Sequence, residues 1–232
     1  MAHYLVIAAS SAIGQEVVRC LLSQGDTVFT TARDATKIQP DAFLDATDFD
    51  AVEEVFHQAG KLDGVVNCSG SLLLKSAHMT SKLEYQSVID ASLTTSFATI
   101  RGAGKYMKQG GSVVLISSAA ALMGFASHEA IAAAKAGIIG LVQSAAATYA
   151  HSGLRVNAIA PGMVNTPLTS QLTATQGMLT TSISMHGLGR IGVPGDIARG
   201  VIFLLNPINN WITGQVIPID GGLSRVRPRV KM

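Results

Sequence analysis

A chain of 232 residues, 48% apolar and 14% charged, is long enough for one large domain and has the composition of a buried sheet, which excludes a disordered chain. A formal net charge of +2 creates no field that would recruit nucleic acid or a membrane surface. Cys20 and Cys68 set no disulfide framework and read as reduced thiols, and the start of the chain lacks the basic flank and cleavage region of a signal peptide, so the expected compartment is the cytoplasm.

Short apolar runs at residues 5–9, 27–31, 42–45, 64–67, 112–117, 154–159 and 215–219 read as strands, several of them nearly continuous in Val, Ile and Leu as strands covered on both faces should be. Helical patterns lie between them. The first starts near Ala12, places Ile13, Val17 and Leu21 on one face and stops at Gly25. This alternation predicts a single α/β domain over residues 1–232, a doubly wound parallel sheet of the Rossmann type with about seven strands. The stretch 130–150 is apolar enough to raise the question of a membrane span, but Lys135 and Gln143 interrupt it and Ala and Gly supply much of its apolar count, so a buried, interface-forming helix is the better reading. Residues 166–194 break the rhythm. They are rich in Thr, Ser, Gly and Met, and a long connection of weak periodicity reads as a substrate loop.

After the first strand comes Ala8-Ala9-Ser10-Ser11-Ala12-Ile13-Gly14, opening a helix. A small-residue turn ahead of a helix N-terminus presents backbone N–H groups to an anion, although the same turn can also serve as a tight connection with no ligand. At the end of the second strand stands Arg33, with no acid at that strand end. An acid there would bind the ribose hydroxyls of NAD, whereas an arginine accommodates the 2′-phosphate of NADP, so NADP(H) is expected over NAD(H).

Several motifs in order resemble those of the short-chain dehydrogenases/reductases. The first loop is similar to that family's T-G-x-x-x-G-x-G turn, with Gly14 kept and Ala8 and Ala12 where the other glycines would stand. Leu44-Asp45-Ala46 resembles the adenine-contacting acid after the third strand, and Asn67-Cys68-Ser69-Gly70 the N-N-A-G run after the fourth. Pro161-Gly162-Met163-Val164-Asn165-Thr166 resembles the run that cups the nicotinamide, and Asp220-Gly221-Gly222 the closing turn. The resemblance spans nearly the whole chain. It implies a cofactor site containing Ser10, Ser11, Ile13, Gly14, Arg33, Asp45, Asn67, Ser69, Gly70, Lys135, Gly162, Val164 and Thr166. The connection between Arg33 and Asp45 is shorter than the family's, which predicts a reduced or lost helix there.

The same resemblance implies the chemistry. Hydride transfer to a carbonyl creates an alkoxide that needs a proton and hydrogen bonds as it forms. Ser118 matches the family's polarising serine, with Ser117 as the alternative register, and Lys135 matches the lysine that holds the nicotinamide ribose. Ser92 takes the place of the asparagine that anchors a relay water, and Ile131 takes the place of the proton-exchanging tyrosine. Isoleucine has no proton to give. His128 shares a helix face with positions 131 and 135, seven residues before the lysine, where related enoyl reductases carry their tyrosine. It reads either as a proton donor or as the residue that starts the helix.

The expectation is an NADP(H)-dependent oxidoreductase acting on a small apolar carbonyl, enoyl or imine substrate, with water, His128 or the substrate itself supplying the proton. Two alternatives stand beside it: a catalytically silent dinucleotide sensor or structural subunit, and a non-redox cyclase or isomerase on the same pocket. The family's habit of pairing its long helix across a two-fold axis implies a homodimer or homotetramer. The basic tail from Arg225 to Met232 reads as a solvated end, an anionic-substrate handle or a subunit contact.

Overall fold

The computed structural model describes residues 1–227. Seven strands form one sheet: β1 (His3–Ile7), β2 (Thr27–Ala32), β3 (Ala42–Phe43), β4 (Gly64–Asn67), β5 (Gly111–Ile116), β6 (Leu154–Pro161) and β7 (Val216–Ile219). Their spatial order is β3-β2-β1-β4-β5-β6-β7, and every pairing is parallel. The order reverses between β1 and β4, where Leu5 pairs with Phe29 on one side and Val65 on the other.

Successive side chains of a strand point to opposite faces, and the core divides accordingly. Leu5, Ile7, Val113 and Leu115 face α2 (Phe49–Ala59), α4 (Thr95–Tyr106) and α5 (Glu129–Tyr149), meeting Phe56, Ala103 and Ile138. Tyr4, Val6, Val114 and Ile116 face α1 (Ala12–Ser23) and α7 (Pro194–Leu205), meeting Val17, Leu21, Ile197 and Val201. The apolar helix α5 buries Ala134, Ile138, Val142 and Ala146 in this arrangement. Its length and hydropathy would also suit a membrane span, but in this fold that apolar stripe lies against the core.

The sequence-predicted elements differ from the structure mainly at their ends. The third strand shrinks to Ala42–Phe43, and no helix forms between β2 and β3, as the short connection predicts. Residues 166–194 are not a plain loop. They hold a 3₁₀ turn, Pro167–Thr173, and helix α6, Gln176–Met185. None of the α6 residues is buried, so no apolar stripe marks that helix in the sequence. Between β4 and α5 run α3 (Lys82–Ile89) and a π-helical segment, Asp90–Thr94, which leads directly into α4.

β1 ends at Ile7 because Ala8 turns into the left-handed region, with φ of 57°. The turn then closes through Ser11 N–H to Ala8 O at 3.0 Å. A methyl-bearing residue pays about 1–2 kcal/mol in that conformation. Ala8→Gly is therefore expected to raise the unfolding free energy by roughly 0.5–1 kcal/mol, since the relief of strain exceeds the added chain entropy of glycine. Urea denaturation measures the difference, and a loss of stability in Ala8→Gly would contradict the strained turn.

Candidate active site

The carboxyl ends of the strands open onto a cleft of about 1450 Å³, at the place where a doubly wound sheet reverses its order. Pockets for one small ligand run to about 300–1,000 Å³, so this cleft has room for a long ligand and a second molecule beside it.

One end of the cleft is suited to anions. Ser10, Ser11, Ala12 and Ile13 line it where α1 begins. Ser11 caps the helix, its Oγ accepting from Gly14 N–H at 3.0 Å, which leaves the first-turn amides open to a ligand. Gly14 itself lies behind the wall. A Cβ there would stand 2.6 Å from Ala8 O, so the glycine serves the turn's packing. At the far side, Arg33 and Lys37 are exposed on the wall. The adjacent Asp34 is occupied with Thr36 N–H, at 3.0 Å. Asp45 also lines the cleft. It accepts from Thr47 N–H at 3.0 Å and Thr47 Oγ at 2.7 Å, and these two bonds hold its carboxyl below the usual range.

The floor is built from the ends of β4 and β5. Asn67 is buried and does not itself line the cleft. Its Nδ2 donates to Thr99 Oγ1 at 2.9 Å, and its Oδ1 accepts from Ser69 N–H at 2.8 Å, which turns Ser69 and Gly70 into the wall. Ser118 lines the cleft and accepts from Ala120 N–H at 3.1 Å. Lys135 is buried beneath it. Its Nζ donates to Ile116 O at 2.8 Å, and its backbone carbonyl accepts from Ser117 Oγ at 2.9 Å. Burial pushes the amine down to about 8.

Ile131, one turn before Lys135, lines the same floor and packs with Val88, Ala130 and Ala134. His128 occupies the N-cap position of α5 without making a capping bond. Its Nδ1 donates to Ala126 O at 2.7 Å, its ring stands 5.3 Å from that of Phe125, and it lines the cleft. Ser92 is not brought to the wall. It is fully buried in the π-helical segment, and its Oγ has no partner among the described residues.

The opposite wall carries Gly162, Val164 and Thr166. Sequence reasoning missed His186, a buried wall residue. Its Nδ1 donates to Ser182 O at 2.7 Å and its Nε2 accepts from Met163 N–H at 3.2 Å. It thereby ties α6 to the loop after β6. Only its place at the end of the weakly patterned segment could have drawn notice. Leu72, Leu74, Phe125, Leu168 and Leu172 make this part of the cleft apolar. Of the basic tail, Arg225 and Arg227 are described, with Val226 N–H bonded to Gly222 O at 2.9 Å. Residues 228–232 lie outside the described residues.

A family model described as Enoyl-(Acyl carrier protein) reductase matches residues 7–224. The chain is 32% identical to the 3-oxoacyl-[acyl-carrier-protein] reductase FabG of Thermotoga maritima, over 94% of this chain and 96% of that protein. It is equally similar, at 32%, to the cis-4-hydroxycyclohexanecarboxylate dehydrogenase of Sinomonas cyclohexanicum, over 96% of each. Among solved structures, a short-chain type dehydrogenase/reductase from Mycobacterium ulcerans superposes with a TM-score of 0.92 at 27% identity, covering 98% of this chain and 91% of that one. ElxO with NADP bound superposes with a TM-score of 0.88 at 29% identity, covering 96% and 99%.

The buried amine has a measurable signature. Folded Lys135 releases its proton at about 8, against an ordinary value of 10.5, so between these values the folded chain binds fewer protons than the unfolded one and stability rises with pH. The cost of the buried ammonium is complete below about pH 8 and gone above about pH 10.5. The difference in unfolding free energy between Lys135→Met and the parent is expected to shift toward the parent by on the order of 1–3 kcal/mol across that window. Denaturation at several pH values checks it, and a difference that does not change with pH would contradict it.

Proposed function

Because the chain belongs to the short-chain dehydrogenase/reductase family, we propose that it is an NADP(H)-dependent oxidoreductase that reduces a small apolar carbonyl, enoyl or imine compound. One observation carries the reading. A single cleft joins an anion-suited end, with the α1 N-terminus, Arg33 and Lys37, to a floor bearing Ser118 and Lys135. The residues present fit a dinucleotide: the amide turn before α1 is open to it, Gly70 adds no side chain to the wall, and Arg33 forms no salt bridge among the described residues that would keep it from a phosphate.

In this reading Ser10, Ser11 and the first turn of α1 bind the pyrophosphate, Arg33 binds the 2′-phosphate, and Asp45 borders the adenine. Gly162, Val164 and Thr166 cup the nicotinamide, and Lys135 holds its ribose. The bound cofactor supplies the hydride. Ser118 donates a hydrogen bond to the acceptor oxygen and polarises it. Ile131 has no proton to offer, so the proton comes from water, from His128 or from the substrate. Neutral His128 commits its Nδ1 proton to Ala126 O, so only its imidazolium form has a second proton to give. An enoyl or iminium acceptor suits such a floor better than a plain ketone, because its intermediate needs less help from an acid.

Ile131 also favours a second reading, a dinucleotide binder without turnover. For either reading we propose a homodimer or homotetramer. Ala133, Ala136, Gly140 and Ala147 form an exposed small-residue stripe along α5, which lets a second helix approach closely.

NADPH oxidation with a panel of ketones, enoyl thioesters and cyclic imines tests the reading. The wild type is expected to turn over with an enoyl or imine acceptor. Ile131→Tyr is expected to gain ketone reduction by roughly a hundredfold or more, the usual contribution of a placed acid. NADPH binding with no turnover by either protein would favour the silent binder.

A further inference from the structure

The floor of the cleft holds an amine in a setting that does more than grip a ribose. Lys135 Nζ makes one hydrogen bond, to Ile116 O at 2.8 Å, and among the described residues no carboxylate pairs with it. An ammonium has three donors, so two remain unassigned. Ser117 Oγ holds the Lys135 backbone to the end of β5, which fixes the point from which the side chain reaches the floor. One turn earlier, Ile131 offers neither a donor nor a charge.

The approach to the amine is open on one side. A Cβ on Gly70 would stand 3.3 Å from Nζ, so a side chain at that position would crowd the nitrogen, and glycine keeps clear the narrow side on which the buried amine meets the cleft. Cys68, the titratable group that bears on the amine, is kept as a neutral thiol by burial, which pushes it up to about 12. Its effect on Lys135 is smaller than that of burial, and as a neutral thiol it is a poor nucleophile. The neighbouring wall, with Leu72, Leu74, Phe125 and Leu168, favours apolar molecules.

We propose that Lys135 is a carbonyl-capturing nucleophile, which forms an imine with apolar aldehydes and ketones that enter the cleft when no nucleotide fills it. The lone pair of the neutral amine attacks the carbonyl carbon, forming the C–N bond, and the C=O π electrons move to oxygen. A proton passes from nitrogen to that oxygen, giving a carbinolamine. Loss of water then leaves the imine, and hydrolysis reverses every step. No oxidant or metal takes part. Burial supplies the neutral amine near neutral pH, because the group sits at about 8, the usual means of activating a lysine for this chemistry. The step needs no dinucleotide, so it goes beyond the oxidoreductase reading and stands apart from it.

The test is reductive trapping of the full chain with butanal and cyanoborohydride, with alkylation rates resolved for each lysine by peptide mass spectrometry. At neutral pH, Lys135 is expected to be alkylated at least about tenfold faster than the exposed lysines, because more of it is neutral. That advantage is expected to fall away as the pH approaches 10.5, the ordinary lysine value. Lys135→Arg should lose the fast site and leave the other rates unchanged. A parallel run with NADPH separates the two ideas: protection of Lys135 supports both, whereas fast alkylation that NADPH does not slow supports imine capture and counts against a cofactor in this cleft. Alkylation of Lys135 no faster than that of the exposed lysines would overturn the proposal.

Discussion

Two hydrogen bonds set the chemical end of this molecule. Ser117 Oγ donates to the carbonyl of Lys135, and the Lys135 amine donates to the carbonyl of Ile116. The first fixes α5 against the end of β5, and the second folds the lysine head onto the same strand end. Without a hydrogen-bond partner an amine at this depth would carry the full penalty of a desolvated polar group. With this one it stays in place, and burial still lowers its proton affinity. The position of Ile131 follows from this lock. It lies one turn back on a helix that cannot slide, and so forms the floor beside the amine.

The cofactor end rests on a different compromise. Strand β1 must turn sharply into α1 for helix amides to face the cleft. Glycine would take the left-handed angle of that turn freely, but this chain places Ala8 there. The turn survives because its other parts are in order. Ser11 caps α1, Gly14 leaves room for the Ala8 carbonyl, and Ala9 N–H reaches Thr31 O at 2.8 Å. Strain of about 1–2 kcal/mol is small against a sheet covered on both faces, so a local departure of this kind leaves the architecture intact.

These cases also explain how much of the molecule was legible in the sequence. The sheet was readable because its strands are short apolar runs with both faces buried, a pattern that needs no tertiary context. The long helix α5 was readable from its Ala-rich run and from Lys135 within it. Helix α6 was not, because its side chains stay at the surface and leave no periodic stripe. His186 escaped notice for a related reason. Its role as a tie between Ser182 and Met163 depends on two segments meeting in space. Ser92 shows the converse. The resemblance selects its position, yet the π-helical turn buries its hydroxyl away from the cleft wall. Residue types and spacing locate a strand end or a helix face, but they do not say which way a side chain turns once the helix changes its pitch.

The turn before α1, with alanine at position 8, is proposed to cradle a dinucleotide whose phosphorylated form Arg33 selects. Fluorescence titration of the wild-type chain with NADPH, run beside NADH, tests it most directly. Saturable binding with a clear preference for NADPH is the expected result. Absence of saturable binding to either nucleotide would contradict it, and the cleft would then belong to some other ligand.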